Sequence, residues 1–174
     1  MERTNTFDRT VIRAVQSVNS HGFGLLMAAA TFMGDGVTLG IITAVCAGIA
    51  LSRHAYQVAW AFIISGFLMI AYNGAKLLFS RARPDTPYAA GLHSSSFPSG
   101  HSADSVAIYG LIGYLMVTRL PKPYNYLGFV VGIVFPLLVG TSRVYLGAHY
   151  PTDVIAGWVL ALVGLIILIK VLHI

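Results

Sequence analysis

The sequence predicts an all-α fold, a polytopic membrane helical bundle of about five transmembrane helices preceded by an N-terminal interfacial helix. Hydrophobic residues fill 56% of the 174 positions, charged residues fill only 10%, and the mean hydropathy is +0.75. Soluble domains carry about 25% charged residues. The apolar residues also gather in runs near the ~20 residues that a spanning helix needs. These observations disfavour a soluble fold and favour a single integral membrane domain.

Charge and cysteine content narrow the possible partners. The net charge of +5 suits basic residues at the headgroup level of a bilayer. Nucleic acid is not an expected partner, because a nucleic-acid-binding domain needs a solvated basic face, and this chain has little solvated face. The single cysteine, Cys46, lies inside an apolar run, so no intrachain disulfide is possible.

The first 33 residues form a segment distinct from the helical core at 34–174. Charged residues interrupt the first 22 positions, which excludes a signal peptide. Phe7, Val11, Val15 and Val18 recur at helical spacing, which predicts a short helix lying in the membrane interface. The apolar piece Phe23–Met33 is too short to span a bilayer and ends at a glycine-rich break. We interpret it as a half-helix or re-entrant piece.

Five longer apolar runs follow and predict five spans, or six if Phe23–Met33 is counted as one. The runs cover residues 37–51, 56–75, 102–117, 126–141 and 153–172. Small residues spaced four apart, such as Gly128 and Gly132, allow helices to approach closely.

Charge in the loops predicts which side of the membrane each loop faces. The linkers at 52–55 and 118–125 are basic, and Lys170 closes the last helix at the same end. The positive-inside rule places that end in the cytoplasm. The loops at 76–101 and 142–152 then share the extracytoplasmic face. These loops are also basic, which we interpret as the charge of a site.

The two loops on that face contain a set of residues that favours a phosphate site. Its members are Lys76, Arg83, Ser99, Gly100, His101, Arg143, His149 and Asp153. Arginine holds phosphate oxygens with a planar fork, and lysine acts as a point charge. The alternative is that each cation only reaches from a helix end toward lipid headgroups. Both interpretations remain open for any single residue.

Two short patterns add chemistry to these cations. Ser99 precedes an apolar run, so it can cap a helix whose free N–H groups near Gly100 bind an anion, although an ordinary capped helix has the same pattern. Pro151 predicts the start of the last helix, with His149 just before it and Asp153 in its first turn. The carboxylate can then orient the imidazole for nucleophilic attack, or it can simply pair with a nearby cation.

Three motifs together resemble the type 2 phosphatidic acid phosphatase superfamily. They are Lys76 to Pro84 (KLLFSRARP), Pro98-Ser99-Gly100-His101, and Ser142-Arg143 with His149 and Asp153. The resemblance implies a six-helix membrane core, with His149 as the nucleophile, Asp153 as its partner and His101 as the acid that protonates the leaving oxygen. It also implies that Lys76, Arg83, Ser99, Gly100 and Arg143 hold the phosphate.

The implied reaction is hydrolysis of a lipid phosphate or diphosphate at the outer leaflet of a bacterial-type plasma membrane. Substrates of relatives include phosphatidylglycerol phosphate, phosphatidic acid, undecaprenyl diphosphate and lipid A phosphates, and the motifs do not choose among them. No cofactor and no metal ion are expected. The alternatives are phosphotransfer to another lipid and a non-catalytic lipid-binding or transport protein. Haloperoxidases share the motifs, but they are soluble. The oligomeric state is left open.

Overall fold

The structure, a computed structural model, describes residues 5–18 and 20–174, and within these ranges the chain is helical with no β-strand. Arg3, which belongs to the predicted interfacial segment, lies outside the described residues. The helices are α1 Thr6–Gln16, α2 His21–Met33, α3 Gly36–Ser52, α4 Tyr56–Gly74, α5 Gly100–Arg119, α6 Leu127–Phe129, α7 Phe135–Tyr145 and α8 Pro151–Leu172. The predicted all-α class is confirmed.

Helix α1 forms where the apolar spacing predicts it. Asn5 caps it, with its side chain accepting a 2.7 Å hydrogen bond from the N–H of Asp8. The arginines Arg9 and Arg13 are both exposed, one helical turn apart. On the other face Asp8 is completely buried, which the amphipathic pattern did not predict.

Helices α2 and α3 form one bent crossing, with an angle of 53° between them. Phe23 packs edge-on against Tyr145, the last residue of α7, whereas the carbonyl of Met33 accepts a bond from Tyr109, halfway along α5. Helix α2 therefore descends from one end of the bundle, and α3 continues to the other end. The predicted half-helix is the first part of a broken span. Asp35 caps α3 at the break.

Membrane crossing follows from helix length and from the apolar outer surface. In the described part of the chain, three helical stretches are long and apolar enough to cross a membrane, and the bent pair gives a fourth; the three are Tyr56–Leu78, Tyr124–Tyr145 and Pro151–Leu172. Large apolar side chains point outward, such as Phe67 at 68% exposure and Ile70 at 70%. An apolar surface of this kind requires lipid around it.

Helix α5 is the central helix of the bundle, and by length and composition it is not among the candidate spans. It has 20 residues but is less apolar than α4 and α8, because its first turns carry buried polar residues such as Ser102, Asp104 and Ser105. It runs parallel to α8, with Gly110 against Leu165. Its polarity is tolerated because protein, not lipid, surrounds it.

The stretch Tyr124–Tyr145 approaches α5 closely through glycines, as predicted. A Cβ atom added to Gly113 would lie 2.5 Å from the carbonyl oxygen of Gly128 and 2.6 Å from the Cα of Gly132. The stretch is not one regular helix, because a π-helical segment at Val130–Val134 separates α6 from α7. Pro136 follows directly, and its missing N–H prevents a regular ladder there.

Candidate active site

All eight predicted site residues meet at one end of the bundle. The segment 75–99 and the loop 146–150 lie at this end, with the last turns of α4 and α7 and the first turns of α5 and α8. The N–H of Ser99 donates to the carbonyl of Asp153, which fixes the start of α5 beside the start of α8. This one backbone hydrogen bond joins the motif at Pro98–His101 to the motif that contains His149 and Asp153.

His149 lies just before α8 and is 2% exposed. Its Nδ1–H donates to the backbone carbonyl of Ser96 over 2.7 Å, whereas the nearer carboxylate oxygen of Asp153 is 3.8 Å from Nδ1. The sequence-based expectation was that Asp153 itself accepts this bond. With Nδ1 as the donor, Nε2 keeps its lone pair, and it lies 3.3 Å from Nη1 of Arg83. Because a guanidinium can only donate, the Nε2 lone pair accepts this contact from Arg83, and Nε2 is the unprotonated nitrogen of the ring.

Asp153 holds the loops around His149 together. Its Oδ2 accepts bonds from the Ser96 hydroxyl at 2.6 Å and from the N–H of Tyr150 at 2.9 Å. Its Oδ1 accepts from Nη1 of Arg81 at 2.5 Å. The carboxylate is therefore both a partner of a cation and the fixed point that sets the position of Ser96, which in turn orients His149. The sequence left open whether Asp153 orients the imidazole or pairs with a cation, and its contacts include the cation Arg81 as well as Ser96 beside the imidazole.

Arg83 is held rigidly with one end of its guanidinium beside Nε2 of His149. Its Nε and Nη2 donate to the carbonyl and hydroxyl of Ser94, each at 2.9 Å, and its Nη1 donates to the carbonyl of Ala148 at 3.0 Å. A guanidinium fixed in this way loses no further rotamer entropy when it contacts a phosphate. It is a preorganised donor next to Nε2.

Arg143 and Lys76 supply the remaining cations. The Arg143 side chain is anchored at Nη1 by the hydroxyls of Thr31 and Tyr88, and its buried Nε has no partner among the described residues. Lys76 makes no hydrogen bond within the described residues and lies within electrostatic reach of Arg83 and Arg143. Unpaired donors of this kind require an anion or water.

The start of α5 has free N–H groups, but Ser99 does not cap them. Ser99 is completely buried, and its hydroxyl pairs with that of Ser102 at 2.8 Å. No side chain caps the helix, so the N–H groups of its first turn remain available to an anion. Gly100 has an additional role, because a Cβ there would lie 2.2 Å from Oδ1 of Asn73.

His101 stands in the first turn of α5, opposite His149. It is half-buried, makes no hydrogen bond within the described residues and lies in the same electrostatic cluster as Arg143, His149 and Lys76. Asp104, one turn later, is outside this set: its Oδ2 accepts from Asn73 at 2.9 Å. His93 is an exposed loop residue.

Comparison with known proteins identifies the family. Residues 54–173 match the model of the PAP2 superfamily. The chain is 31% identical to phosphatidylglycerophosphatase B of Bacillus subtilis over 160 residues, which cover 89% of this chain and 78% of that protein. The chain belongs to the PAP2 superfamily. It is also 33% identical to a decaprenylphosphoryl-5-phosphoribose phosphatase of Mycobacterium tuberculosis over 177 residues, covering 95% and 92% of the two chains.

A solved PAP2 structure shows the same architecture. The crystal structure of a transmembrane PAP2 type phosphatidylglycerolphosphate phosphatase from Bacillus subtilis superimposes with a TM-score of 0.81 at 28% identity, covering 97% of this chain and 87% of that one. The protein is therefore an integral membrane protein of the PAP2 lipid phosphatase family, and the predicted resemblance is confirmed.

Sequence reasoning missed several residues of this PAP2 site. Ser96 orients His149 through its backbone carbonyl, and no side-chain pattern can reveal such a contact. Arg81 lies inside the first motif, two positions before Arg83, and that position was the available signal. Asp8 and Thr31 contact site residues from outside the matched range 54–173. Within the described residues, no group of three or more His, Cys, Asp or Glu side chains is placed to hold a metal ion.

The rate of the PAP2 reaction is expected to fall in acid only near pH 4. Burial, the largest effect, lowers the pKa of His149 from 6.5 to about 4, the Asp153 contact opposes this, and Arg83 and Arg143 reinforce it. Because the folded pKa is depressed, the neutral imidazole of His149 persists between pH 6.5 and 4 and is lost as pH falls through about 4. The measurement is kcat/KM against pH.

Two controls make this profile interpretable. The phosphate substrate itself takes up a proton near pH 6, so its titration is measured separately and divided out. Enzyme held at pH 4 and assayed at pH 7 must recover full activity, which excludes unfolding. After these corrections, an acid limb at pH 6 to 7 would contradict the assignment of a buried, neutral His149.

Proposed function

We propose that this PAP2 protein hydrolyses a phosphate ester of a lipid through a phosphohistidine formed on His149. The proposal rests on the protonation of the two ring nitrogens of His149. Its Nδ1–H is committed to the Ser96 carbonyl, so the lone pair of Nε2 faces a guanidinium that is fixed 3.3 Å away. A nucleophile beside a preorganised cation is the arrangement that phosphoryl transfer needs.

The reaction proceeds in two displacements. Nε2 of His149 attacks phosphorus while the bond between phosphorus and the lipid oxygen breaks, and His101 gives its proton to that oxygen. The bound phosphate supplies the negative charge that favours protonated His101 among the surrounding cations. Neutral His101 then takes a proton from water as the water oxygen attacks phosphorus. The P–N bond breaks, inorganic phosphate leaves and Nε2 regains its lone pair.

The cations stabilise charge on the transferring group. Arg83 lies beside Nε2 of His149, Arg143 has an unpaired buried Nε, and Lys76 adds a third positive charge, so we expect these three side chains to contact the phosphate. The N–H groups at the start of α5 complete the set. Removing one such donor costs about 10²–10³ in kcat in enzymes that stabilise an oxyanion.

The substrate class that the relatives support best is a phosphate carried on the headgroup of a lipid. The two relatives matched over most of both chains are named for phosphatidylglycerophosphate and for a phosphoribose linked to decaprenyl phosphate. In each name the phosphate is on a glycerol or sugar that is itself linked to lipid. Phosphatidic acid and undecaprenyl diphosphate remain the alternatives, because the proposed roles of the site residues involve only the phosphate and not the rest of the lipid.

Phosphate release from purified lipids in detergent tests the proposal and ranks the substrates. The panel contains phosphatidylglycerol phosphate, phosphatidic acid and undecaprenyl diphosphate. Turnover is expected, with phosphatidylglycerol phosphate fastest. Binding of all three without release of phosphate would instead favour a lipid-binding or transport protein. Phosphate that appears on an added lipid alcohol, and not in water, would identify a phosphotransferase.

Activity is expected to persist in excess EDTA. The reason is that the charge-stabilising role of Mg²⁺ or Zn²⁺ is filled here by Arg83, Arg143 and Lys76. Vanadate is expected to inhibit, because its five-coordinate adduct with a histidine nitrogen resembles the transition state. Turnover lost in the chelator and restored by one divalent ion would contradict this prediction, and a metal-dependent phosphatase assayed beside it controls for the chelator.

We infer that the site faces the extracytoplasmic side of a bacterial-type plasma membrane. The opposite end carries Arg53, Arg119, Lys122 and Lys170. At the site end Arg81, Arg83 and Arg143 have bonded partners in the site, for example Arg81 with Asp8 and Asp153, so the site accounts for them. Arg9 and Arg13 of α1 are exposed at the same end and count toward topology, but they are fewer than the four basic residues of the opposite end. The positive-inside rule then places the opposite end in the cytoplasm.

A reporter fused after Ile174 is therefore expected in the cytoplasm. The five predicted spans place the C-terminus at the end opposite the site. A fluorescent protein fused there should therefore be fluorescent, whereas alkaline phosphatase fused there should be inactive. As a matched pair, His93→Cys and Lys122→Cys are compared in a Cys46→Ser background. An impermeant maleimide should label only the first in intact cells. The reverse pattern would place the site inside.

A further inference from the structure

The N-terminal helix α1 contributes a fully buried carboxylate to the catalytic end of the protein. Asp8 has no exposed surface, although it lies in a helix whose other charged residues face outward. It precedes the residues 54–173 that define the family match. A buried charge is stable only when its oxygens are paired. The partners of Asp8 all belong to the segments that build the site.

The first partner is the start of α8. Pro151 occupies the first helical position and has no N–H, so the N–H of Thr152 is the first free donor of this helix. That N–H donates to Oδ1 of Asp8 at 2.9 Å, and the Thr152 hydroxyl donates to Oδ2 at 2.9 Å. A carboxylate from α1 thus caps the helix that carries Asp153.

The second partner is Arg81, which connects Asp8 to Asp153. Its Nη2 lies 3.0 Å from Oδ2 of Asp8, and its Nη1 donates to Oδ1 of Asp153. The two carboxylates raise the pKa of Arg81 against the opposing effect of burial. The guanidinium also stacks 4.4 Å above the ring of Tyr150, directly after the nucleophile.

The backbone of Arg81 provides a second connection to His149. Its carbonyl accepts a 2.9 Å bond from the N–H of Ser96. The carbonyl of Ser96 accepts the Nδ1–H of His149, and the Ser96 hydroxyl donates to Asp153. The position of Arg81 therefore affects the imidazole through both its side chain and its main chain.

From these contacts we infer that Asp8 is a positioning residue for the phosphatase reaction, acting through Arg81 and Thr152 on Asp153, Ser96 and the nucleophile His149. The inference rests on the proposed function, because it assumes that His149 attacks phosphorus. It gives α1 a role in catalysis in addition to its place at the membrane surface. Asp8 touches no reacting atom, so its effect is on the orientation of Nε2.

The substitution Asp8→Asn tests the inference with little change in shape. The amide oxygen can still accept from Thr152, but the amide group facing Arg81 cannot pair with a guanidinium. Losing a residue that orients a catalytic group typically lowers the rate about 10- to 100-fold. We expect a fall of this size in kcat with KM near the wild-type value, because Lys76 and Arg143 still hold the phosphate. As a control, Asp85→Asn replaces an exposed acid four residues after Arg81, and it should change neither kcat nor KM.

A double-mutant cycle with Arg81→Met separates positioning from general stability. If Asp8 acts through Arg81, adding Asp8→Asn to Arg81→Met should lower kcat little further. Equal losses in both backgrounds, a wild-type kcat in Asp8→Asn, or a raised KM alone would overturn the inference. Thermal denaturation in detergent checks folding. Asp8→Ser replaces an Asn variant that does not fold, and failure of both would assign Asp8 to folding and overturn the positioning role.

The same assays distinguish this inference from the function on which it rests. If the wild-type protein releases no phosphate from any lipid of the panel, the proposed function fails. If the wild-type protein turns over and Asp8→Asn matches it in kcat, only the role of Asp8 fails.

Discussion

Replacing His149 with alanine is expected to abolish turnover of every substrate, whatever its leaving group. Nε2 is the only atom in the proposed mechanism that forms a bond to phosphorus before water does. In a serine protease, loss of the nucleophile lowers kcat by about 10⁶. A loss on the order of 10⁶ is therefore expected here. The measurement is phosphate release from the lipid panel and from p-nitrophenyl phosphate, with His93→Ala as the matched control.

Trapping the intermediate identifies the nucleophile directly. Acid destroys phosphohistidine, so label from a phosphorylated lipid is sought after an alkaline quench. The label should appear on the wild-type protein and on His93→Ala, since His93 is exposed and lies in a loop. It should be absent from His149→Ala. Label that persists in His149→Ala would show that a different residue attacks phosphorus.

Local features of the site could be predicted from the sequence because their geometry is set by a few neighbouring residues. Proline is compatible with the first turn of a helix, so Pro151 marks the start of α8 and places Asp153 in its first turn. The glycines Gly128 and Gly132 are four residues apart, and this spacing predicted a close approach of another helix, although it did not indicate that Gly113 is the partner. The apolar runs predicted spans because a spanning helix, too, is formed by consecutive residues.

Contacts between distant segments could not be predicted in this way. Asp8 and Thr152 are 144 positions apart, and nothing near Asp8 in the sequence indicates that its carboxylate is buried. The bond from His149 to Ser96 uses a backbone carbonyl, which every residue has. Asp153 was therefore expected to orient the imidazole directly, whereas it does so through Ser96. The glycine-rich residues after Met33 likewise predicted the break there, but not the direction in which α3 continues.

His101 is the second histidine whose replacement is expected to have a large effect, but on selected substrates. Its proposed task is to protonate the departing oxygen, and general acid catalysis is typically worth ~10²–10⁴ in rate. A lipid alkoxide is a poor leaving group and needs that proton. The p-nitrophenolate ion leaves readily without it. His101→Ala should therefore lose most of its lipid phosphatase activity and retain a larger fraction of its activity on p-nitrophenyl phosphate.

The role of His101 is decided by comparing the activity that His101→Ala loses on lipid phosphate with the activity it loses on p-nitrophenyl phosphate. Both substrates are therefore measured on the same preparation. His101 lies in the first turn of α5, beside N–H groups that no side chain caps, and it has no hydrogen-bond partner among the described residues. A residue in that position could instead help to bind phosphate. Binding would affect both substrates alike, because both carry the same phosphoryl group. An equal fall on lipid and aryl phosphate would therefore assign His101 to phosphate binding, whereas a selective fall on the lipid substrate identifies it as the acid that protonates the leaving oxygen.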